Sequence, residues 1–305
     1  MVKVSVIVPI YGAEKYIASS ARSILGQTWE NTEFIFVNDG TPDRSIYILK
    51  ELIDTEFRNK KQHIILLEKE NEGAPMARHR GLEVSSGDYI LFADSDDTLE
   101  PEMVEKLALA ACGAGADVAY CGFYKEKGSG RGRVCRERLF DSSEEYAREM
   151  LAYHAYGYLW NKLLHRSLFK GRYATPRYGM HDDMVLLCQI LPAARKLVRV
   201  DEPLYHYRCD NAASLSHRRK ALRDVESARN FLSMIQFWEG EERVPFQESL
   251  PLLYARAGWA AYKYDPAIWT QFSGLEAHVM ELDYGIPHPF RLLRMKLWLH
   301  ARLEK

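Results

Sequence analysis

Tyr89-Ile90-Leu91-Phe92-Ala93 is an unbroken apolar run that stops on Asp94-Ser95-Asp96-Asp97. An apolar run of this length bounded by polar turn residues reads as a buried strand. The three carboxylates at its end repel one another, and each favours water or a cation over an apolar interior. A divalent metal settles that conflict. Hard cations such as Mn2+ and Mg2+ take carboxylate oxygens and commonly those of a substrate diphosphate as well. A solvated Asp-rich turn, with Asp97 or Thr98 capping the next helix, accounts for the same residues without a ligand.

The strand has companions. Val4-Ser5-Val6-Ile7-Val8 is closed by Pro9, Phe34-Ile35-Phe36-Val37 is stopped by Asn38-Asp39-Gly40, and His63 to Leu67 makes a third run. Helical patterns lie between them: through Ile17, Ala21, Ile24 and Leu25 to Gly26, from about Asp43 to Phe57, and after Gly73 to Val84. A further helix is expected from Pro101, a residue favoured in first helical turns, followed by a strand at Asp117 to Cys121. Near-continuous apolar strands alternating with helices predict an α/β fold with a mostly parallel, Rossmann-like sheet and helices on both faces. Such sheets bind ligands beyond the carboxyl ends of their strands, where Asp39 and the Asp94 cluster both fall. Asp39 there suits a ribose or base, though Asn-Asp-Gly is equally good β-turn chemistry. Lys125 to Arg138, with Gly128-Ser129-Gly130-Arg131-Gly132-Arg133, reads as a flexible loop or hairpin. From about Ser142 the pattern turns helical. Beyond Arg218 it is wholly so, with breaks near Gly240, Pro251, Pro266 and Gly285.

With 305 residues, 47% of them hydrophobic and 27% charged, the chain has room for one large domain or two smaller ones and an ordinary soluble composition. A net charge of −1 provides no footprint for nucleic acid. Cys112, Cys121, Cys135, Cys188 and Cys209 are spread with no C-x-x-C pair, which argues against structural zinc and a disulfide framework. Their odd number suits a reducing compartment. The first residues open directly on a strand pattern, and no apolar stretch approaches the roughly 20 residues a membrane span needs. A cytoplasmic protein with only peripheral membrane contact is expected.

Four other segments carry candidate chemistry. Gly73 to Gly81 opens a helix whose free N–H groups, with Arg78 or Arg80, suit phosphate, or else is a plain helix start. His181-Asp182-Asp183 is either an acidic first turn favoured by the helix dipole or a source of a general base. Tyr205-His206-Tyr207-Arg208 through Ser214-Leu215-Ser216-His217 suits phosphate contacts or, through His206 or His217, a late metal ligand, although lone histidines are more often structural. Arg291, Arg294, Lys296, Arg302 and Lys305 lie among Leu292, Leu293, Trp298 and Leu299. They read as a helix for an anionic membrane interface, or as one docked on protein.

Taken in order, these motifs form one set. They are Ser5-Val6-Ile7-Val8-Pro9-Ile10-Tyr11 with Glu14, Ser23 to Thr28, Asn38 to Ser45, Asn71-Glu72-Gly73 with Ala77-Arg78-His79-Arg80-Gly81, Gly87-Asp88-Tyr89 leading into Asp94 to Asp97, Trp160-Asn161-Lys162-Leu163, and His181-Asp182-Asp183. Over roughly residues 3–217 the set resembles family 2 glycosyltransferases of the GT-A fold, of the bacterial polysaccharide type. The resemblance implies that Pro9, Tyr11, Glu14 and Asp39 hold the nucleotide base and ribose, with Asn71, Gly73, Arg78 and Ser95 also on the donor side. Asp94-Ser95-Asp96 would be the DxD motif, with Asp96 the direct ligand of Mn2+ or Mg2+, Asp94 beside ribose and metal, and His217 a late ligand. Trp160, Asn161 and Lys162 would face the acceptor. The family's late Glu-Asp pair appears as Asp182-Asp183, which puts Asp183 in the place of the base. Asn38, Thr41 and His79 depart from the family's usual Asp, Ser and Asn.

The resemblance implies a catalytic domain at 1–217 and a helical region at 218–305 that shapes the acceptor site. The expected activity is metal-dependent, inverting transfer from a nucleotide-diphosphate sugar, UDP-linked by expectation, to a hydroxyl of a glycan or lipid-linked acceptor in surface polysaccharide biosynthesis. The tail at 288–305 would meet the inner face of the cell membrane. A sugar nucleotidyltransferase should carry a Gly-rich basic loop after its first strand, where this chain has Pro9-Ile10-Tyr11-Gly12. A non-catalytic sugar-nucleotide sensor has no need of Asp39, Asp96 and Asp183 together.

Overall fold

The computed structural model describes residues 1–128, 132–211, 219–242 and 244–272. Its first half follows the expected alternation. Strand β1 (Val4–Ile10) leads to α1 (Ile17–Leu25), β2 (Thr32–Asp39), α2 (Ser45–Thr55), β3 (Ile64–Lys69), α3 (Ala74–Val84) and β4 (Tyr89–Phe92). The strands pair in parallel, with Val6 between Phe34 and Leu91, so the ends of β1, β2 and β4 emerge along one edge. Strand β1 runs through Pro9 instead of stopping there. The Ile7 carbonyl accepts the Ala93 N–H at 3.0 Å, toward β4. Pro9, two residues on, faces the same side after β4 has ended. Its missing N–H therefore breaks no ladder bond.

Helices cover both faces. Val6, Val8, Phe34 and Phe36 pack with Ile17, Ala21, Leu49 and Leu107 on one side. On the other, Ile7, Ile35, Val37 and Phe92 pack with Ala77, Tyr146, Val185 and Phe231. Gly81 explains its place in the Ala77 to Gly81 motif, because a Cβ there would lie 2.4 Å from Ile7 Cγ2 and 3.3 Å from Val37 Cγ2. Helix α3 thus rests directly on the sheet. Gly81→Ala is expected to destabilise by about 1–3 kcal/mol through overpacking. Gly113→Ala, in a helix with open space around it, should be neutral or slightly stabilising. Thermal unfolding of the two variants checks the contrast.

The second half corrects the expected helical pattern. After β5 (Thr98–Leu99), α4 (Met103–Ala114), β6 (Val118–Glu126), β7 (Arg133–Cys135) and α5 (Ser143–Leu151) come two further strands, β8 (Lys162–His165) and β9 (Leu197–Arg208). The first six strands in the sheet order are β3-β2-β1-β4-β8-β6, followed by β9 and β5, with β7 on β6. Strand β8 is antiparallel to both its neighbours, and β9 is parallel to β6. Strand β8 is only four residues long and holds a lysine and a histidine, so its local pattern is weak. Register slips around Gly122 opposite Val200 to Pro203, which breaks the alternation of β9. Helix α4 starts at Met103 because β5 first pairs with Tyr205 and His206 and pushes Pro101 into a turn. Strand β7 pairs antiparallel with β6, Lys125 opposite Arg133, in keeping with the hairpin alternative for this segment.

Helix α6 (Asp182–Ile190) and the closing helices α7 (Lys220–Phe237), α8 (Leu250–Lys263) and α9 (Ala267–Gln271) complete the described chain. Small residues, Ala228 against Ala257, Ala260 and Ala261, let α7 and α8 approach closely. No described helix is long and apolar enough to cross a membrane. His217, and the basic tail 288–305, lie outside the described residues.

Candidate active site

One arginine gathers the carboxylates. Gly73 stands at the start of α3 with φ +93, a conformation that favours glycine. The helix carries Arg78 inward until it is only 8% exposed. Its Nη2 donates to Asp94 Oδ1 at 2.7 Å and its Nη1 to Asp182 Oδ2 at 2.6 Å, while Asp183 Oδ1 lies 3.2 Å from Nη1. Asp183 Oδ2 accepts the Leu159 N–H at 3.1 Å. Asp183 Oδ1 is buried and accepts no hydrogen bond among the described residues, although it is near enough to Arg78 for charge attraction. That oxygen keeps a lone pair for an incoming proton.

The charges are finely set. Burial alone would lower the proton affinity of Arg78, but Asp183, Asp94 and Asp182 reverse this and raise it above the ordinary guanidinium value. Burial and the neighbouring Asp183 push Asp182 up to about 8 against the pull of Arg78. Asp183 is raised too, by burial and Asp94, against Arg78 and the Leu159 N–H.

The turn after β4 is held by the end of β9. Tyr205 donates from its hydroxyl to Asp97 Oδ2 at 2.9 Å and accepts the Asp94 N–H at 3.1 Å. Asp97 Oδ1 accepts the Arg208 N–H at 2.7 Å. Asp97 is therefore buried and neither a solvated turn residue nor a helix cap. It fastens β9 to the turn, and Glu102 precedes α4 instead. Asp96 Oδ2 accepts from Asn211 Nδ2 at 2.8 Å, and its carbonyl from Arg208 Nε at 3.1 Å. Burial and Asp94 raise the proton affinity of Asp96.

Among the described residues no group of three or more His, Cys, Asp or Glu forms a metal site. The residues nonetheless fit Mn2+ or Mg2+. Asp94 and Asp96 each commit one oxygen to a protein partner, and such cations are commonly held by one or two carboxylates plus substrate phosphates and water. His206 is not a candidate ligand. Its Nδ1 meets Glu126 at 2.7 Å and its Nε2 meets Glu100 at 2.9 Å, while its ring stacks on Tyr124, so it ties strands together.

The residues expected on the donor side share a bonded rim. Asp39 is buried, with Oδ1 accepting from Lys69 Nζ (2.7 Å) and the Glu72 N–H (3.0 Å), and Oδ2 from the Gly73 N–H (2.8 Å). Exposed Asn71 lies against Gly40, where a Cβ would come within 2.9 Å of the Asn71 nitrogen. The Gly12 N–H donates to Thr41 Oγ1, and Glu14 Oε2 accepts the Arg44 N–H, which joins the loop carrying Tyr11 to the loop after Asp39. Tyr11 is 52% exposed, whereas Pro9 and Ser95 are buried.

Trp160, Asn161 and Lys162 sit beneath the surface, all at most 2% exposed. Lys162 Nζ donates to the Tyr156 and Tyr158 carbonyls and to Asn161 Oδ1, at 3.0, 2.7 and 2.8 Å. Burial lowers its proton affinity to about 8. Asn161 Nδ2 reaches the Cys121 carbonyl, and Trp160 is stacked between Tyr158 and Tyr205. These three hold the loop that delivers the Leu159 N–H to Asp183. The reading of residues missed Leu159, a backbone donor without a side-chain signal, and Asn211. Tyr205 and Arg208 were within a flagged segment, but for its histidines.

This sheet, with an aspartate turn at its carboxyl edge, is the GT-A glycosyltransferase fold, and the chain belongs to the family described as Glycosyl transferase family 2, which matches residues 5–172. It is 31% identical to putative glycosyltransferase EpsH of Bacillus subtilis over 227 residues, covering 72% of this chain and 64% of EpsH. It is 32% identical to glycosyltransferase GlyA of Streptococcus pneumoniae, covering 68% of this chain and 30% of GlyA. The chain thus spans less than two thirds of either relative. The structure of S. aureus TarS 1–349 in complex with UDP-GlcNAc matches 97% of this chain and 89% of its own, with a TM-score of 0.63 at 18% identity.

Proposed function

We propose that the protein is an inverting, metal-dependent glycosyltransferase that moves a sugar from a nucleotide diphosphate to a hydroxyl of a glycan or lipid-linked acceptor during polysaccharide synthesis. The observation that carries this reading is the Arg78 bridge, which brings Asp94 at the end of β4 together with Asp182 and Asp183 at the start of α6. Asp183 Oδ1 takes the proton of the acceptor hydroxyl as that oxygen attacks the anomeric carbon. The raised proton affinity of Asp183 suits this task, and the Leu159 N–H and Arg78 hold the carboxylate in place. Asp96, with Asp94, would hold Mn2+ or Mg2+, which when bound supplies countercharge for the leaving diphosphate. Asp39, Glu14 and Tyr11 would receive the nucleotide.

A UDP-linked donor draws support from TarS, seen with UDP-GlcNAc, and a nucleotide-sugar and metal from mannosyltransferase PcManGT of Pyrobaculum calidifontis, seen with GDP-Man and Mn2+. Polysaccharide synthesis draws support from GgaB of Bacillus subtilis, a minor teichoic acid biosynthesis protein at 27% identity. We place the reaction at the cytoplasmic face of the membrane, where the basic tail would make a peripheral contact.

A thermal-shift panel of UDP-, GDP-, ADP- and TDP-sugars, with and without Mn2+, tests the donor. A ligand at 100 times its Kd should add about 2.7 kcal/mol to apparent stability. A Mn2+-dependent rise with one nucleotide class is expected. The absence of any shift across the panel would overturn the reading.

A further inference from the structure

A second cation stands at the first turn of α6. Arg256, on α8, lies with its guanidinium 3.6 Å from the ring centroid of Tyr153 and 6.0 Å from that of Phe231. Its Nη1 is 3.9 Å from the sulfur of Met184, the residue after Asp183, and its Nε is buried without a hydrogen-bond partner. Among the described residues no carboxylate pairs with it, and burial holds its proton affinity down to about 10.

Lys220 and Asp224 on α7 pair with each other at 3.0 Å, and both act on Tyr153 along with Arg256. His181 feels Arg256 and, more weakly, Asp224 and Arg223, with Asp224 opposing the two arginines. His181 itself shares a hydrogen bond with Ser227 Oγ at 2.6 Å and stays neutral, because burial and Arg256 hold it down to about 4. Tyr153 is 55% exposed and sits at φ 63, a left-handed conformation costly for a bulky residue. It stands just past α5, ahead of the loop whose Leu159 N–H fixes Asp183.

A half-buried cation without a carboxylate partner carries a desolvation cost that an anionic ligand removes. We propose that Arg256, with Tyr153 as its platform, receives an anionic group of the acceptor, a phosphate or a carboxylate, beside the attacking hydroxyl. The proposal rests on Asp183 as the base, which puts the acceptor at this turn of α6. An arginine suits either anion through paired N–H donors.

Calorimetric titration tests it on the full chain, with and without saturating UDP and Mn2+. The probes are glycerol 3-phosphate and glucuronate, with glycerol and glucose as their neutral counterparts. The wild type should bind at least one anion ten times more tightly than its neutral counterpart, and the stronger arm tells phosphate from carboxylate. Arg256→Gln should lose about tenfold, and Arg256→Lys should recover part. Tyr153→Ala, altered at an exposed ring, should also weaken the anion and serves where Arg256→Gln does not fold. Equal binding of anions and neutral probes by the wild type, or anion binding unchanged in the variants, overturns the proposal. Failure of UDP to bind the wild type counts separately, against the donor reading.

Discussion

Asp183→Asn is expected to lower kcat by about 10²–10⁴-fold while leaving nucleotide binding intact. The substitution keeps the shape of the side chain, and Asn Oδ1 can still accept the Leu159 N–H. It removes the oxygen that accepts no hydrogen bond and therefore the place for the acceptor proton. Nucleotide affinity, which the proposed function assigns to the Asp39 rim, should not follow. Asp182→Asn should cost less, since Asp182 already spends Oδ2 on Arg78. The pH profile gives an independent sign. A base works only when ionised, and burial has raised both carboxyls of the pair. The rate should therefore fall with decreasing pH at a higher pH than an ordinary carboxylate would allow, with an apparent value that belongs to the pair. In Asp183→Asn that limb should disappear. Unchanged turnover would remove Asp183 from the role.

Arg78→Met should produce the largest loss of stability, about 3–5 kcal/mol, because it strands buried carboxylates without their cation. Asp182 and Asp183 would then hold their protons more strongly, so the variant should also lose turnover near neutrality. The dependence on pH follows from linkage. A carboxyl whose folded proton affinity is raised binds more protons folded than unfolded, so stability falls as pH rises from the ordinary carboxyl value, 3.8 for these aspartates, through the raised one. The gap between wild type and Arg78→Met should be smaller at pH 5.5 than at pH 8, as read by thermal unfolding. Arg78→Lys should recover only part, since one ammonium cannot present two nitrogens to Asp94 and Asp182 as the guanidinium does.

The first half of the fold was legible because β1, β2 and β4 are short, apolar and bounded by turn residues, and their parallel pairing follows from the helices between them. Asp39, Asp94 and Asp96 could be placed at one edge for the same reason. Strand β9 was not legible, because its bulge around Asp201 and Glu202 hides the alternation, and with it went the roles of Tyr205, Arg208 and Asn211 around the aspartate turn. Asp97 was misjudged for the same reason, as its partners lie more than 100 residues away. Arg78 was recognised at a helix start, but a residue that joins β4 to α6 acts through contacts no local pattern encodes. Trp160 to Lys162 stood out only through the family resemblance, which put them toward the acceptor, and tertiary packing shows that they lie beneath the loop they support.

The stereochemistry of the first product tests the proposed mechanism most directly. Proton NMR of the product formed from an α-linked nucleotide sugar reads the configuration of the new glycosidic bond, which is fixed once formed. A base that activates the acceptor hydroxyl on the face opposite the diphosphate requires the β-anomer as the first product. An α-linked first product would contradict it.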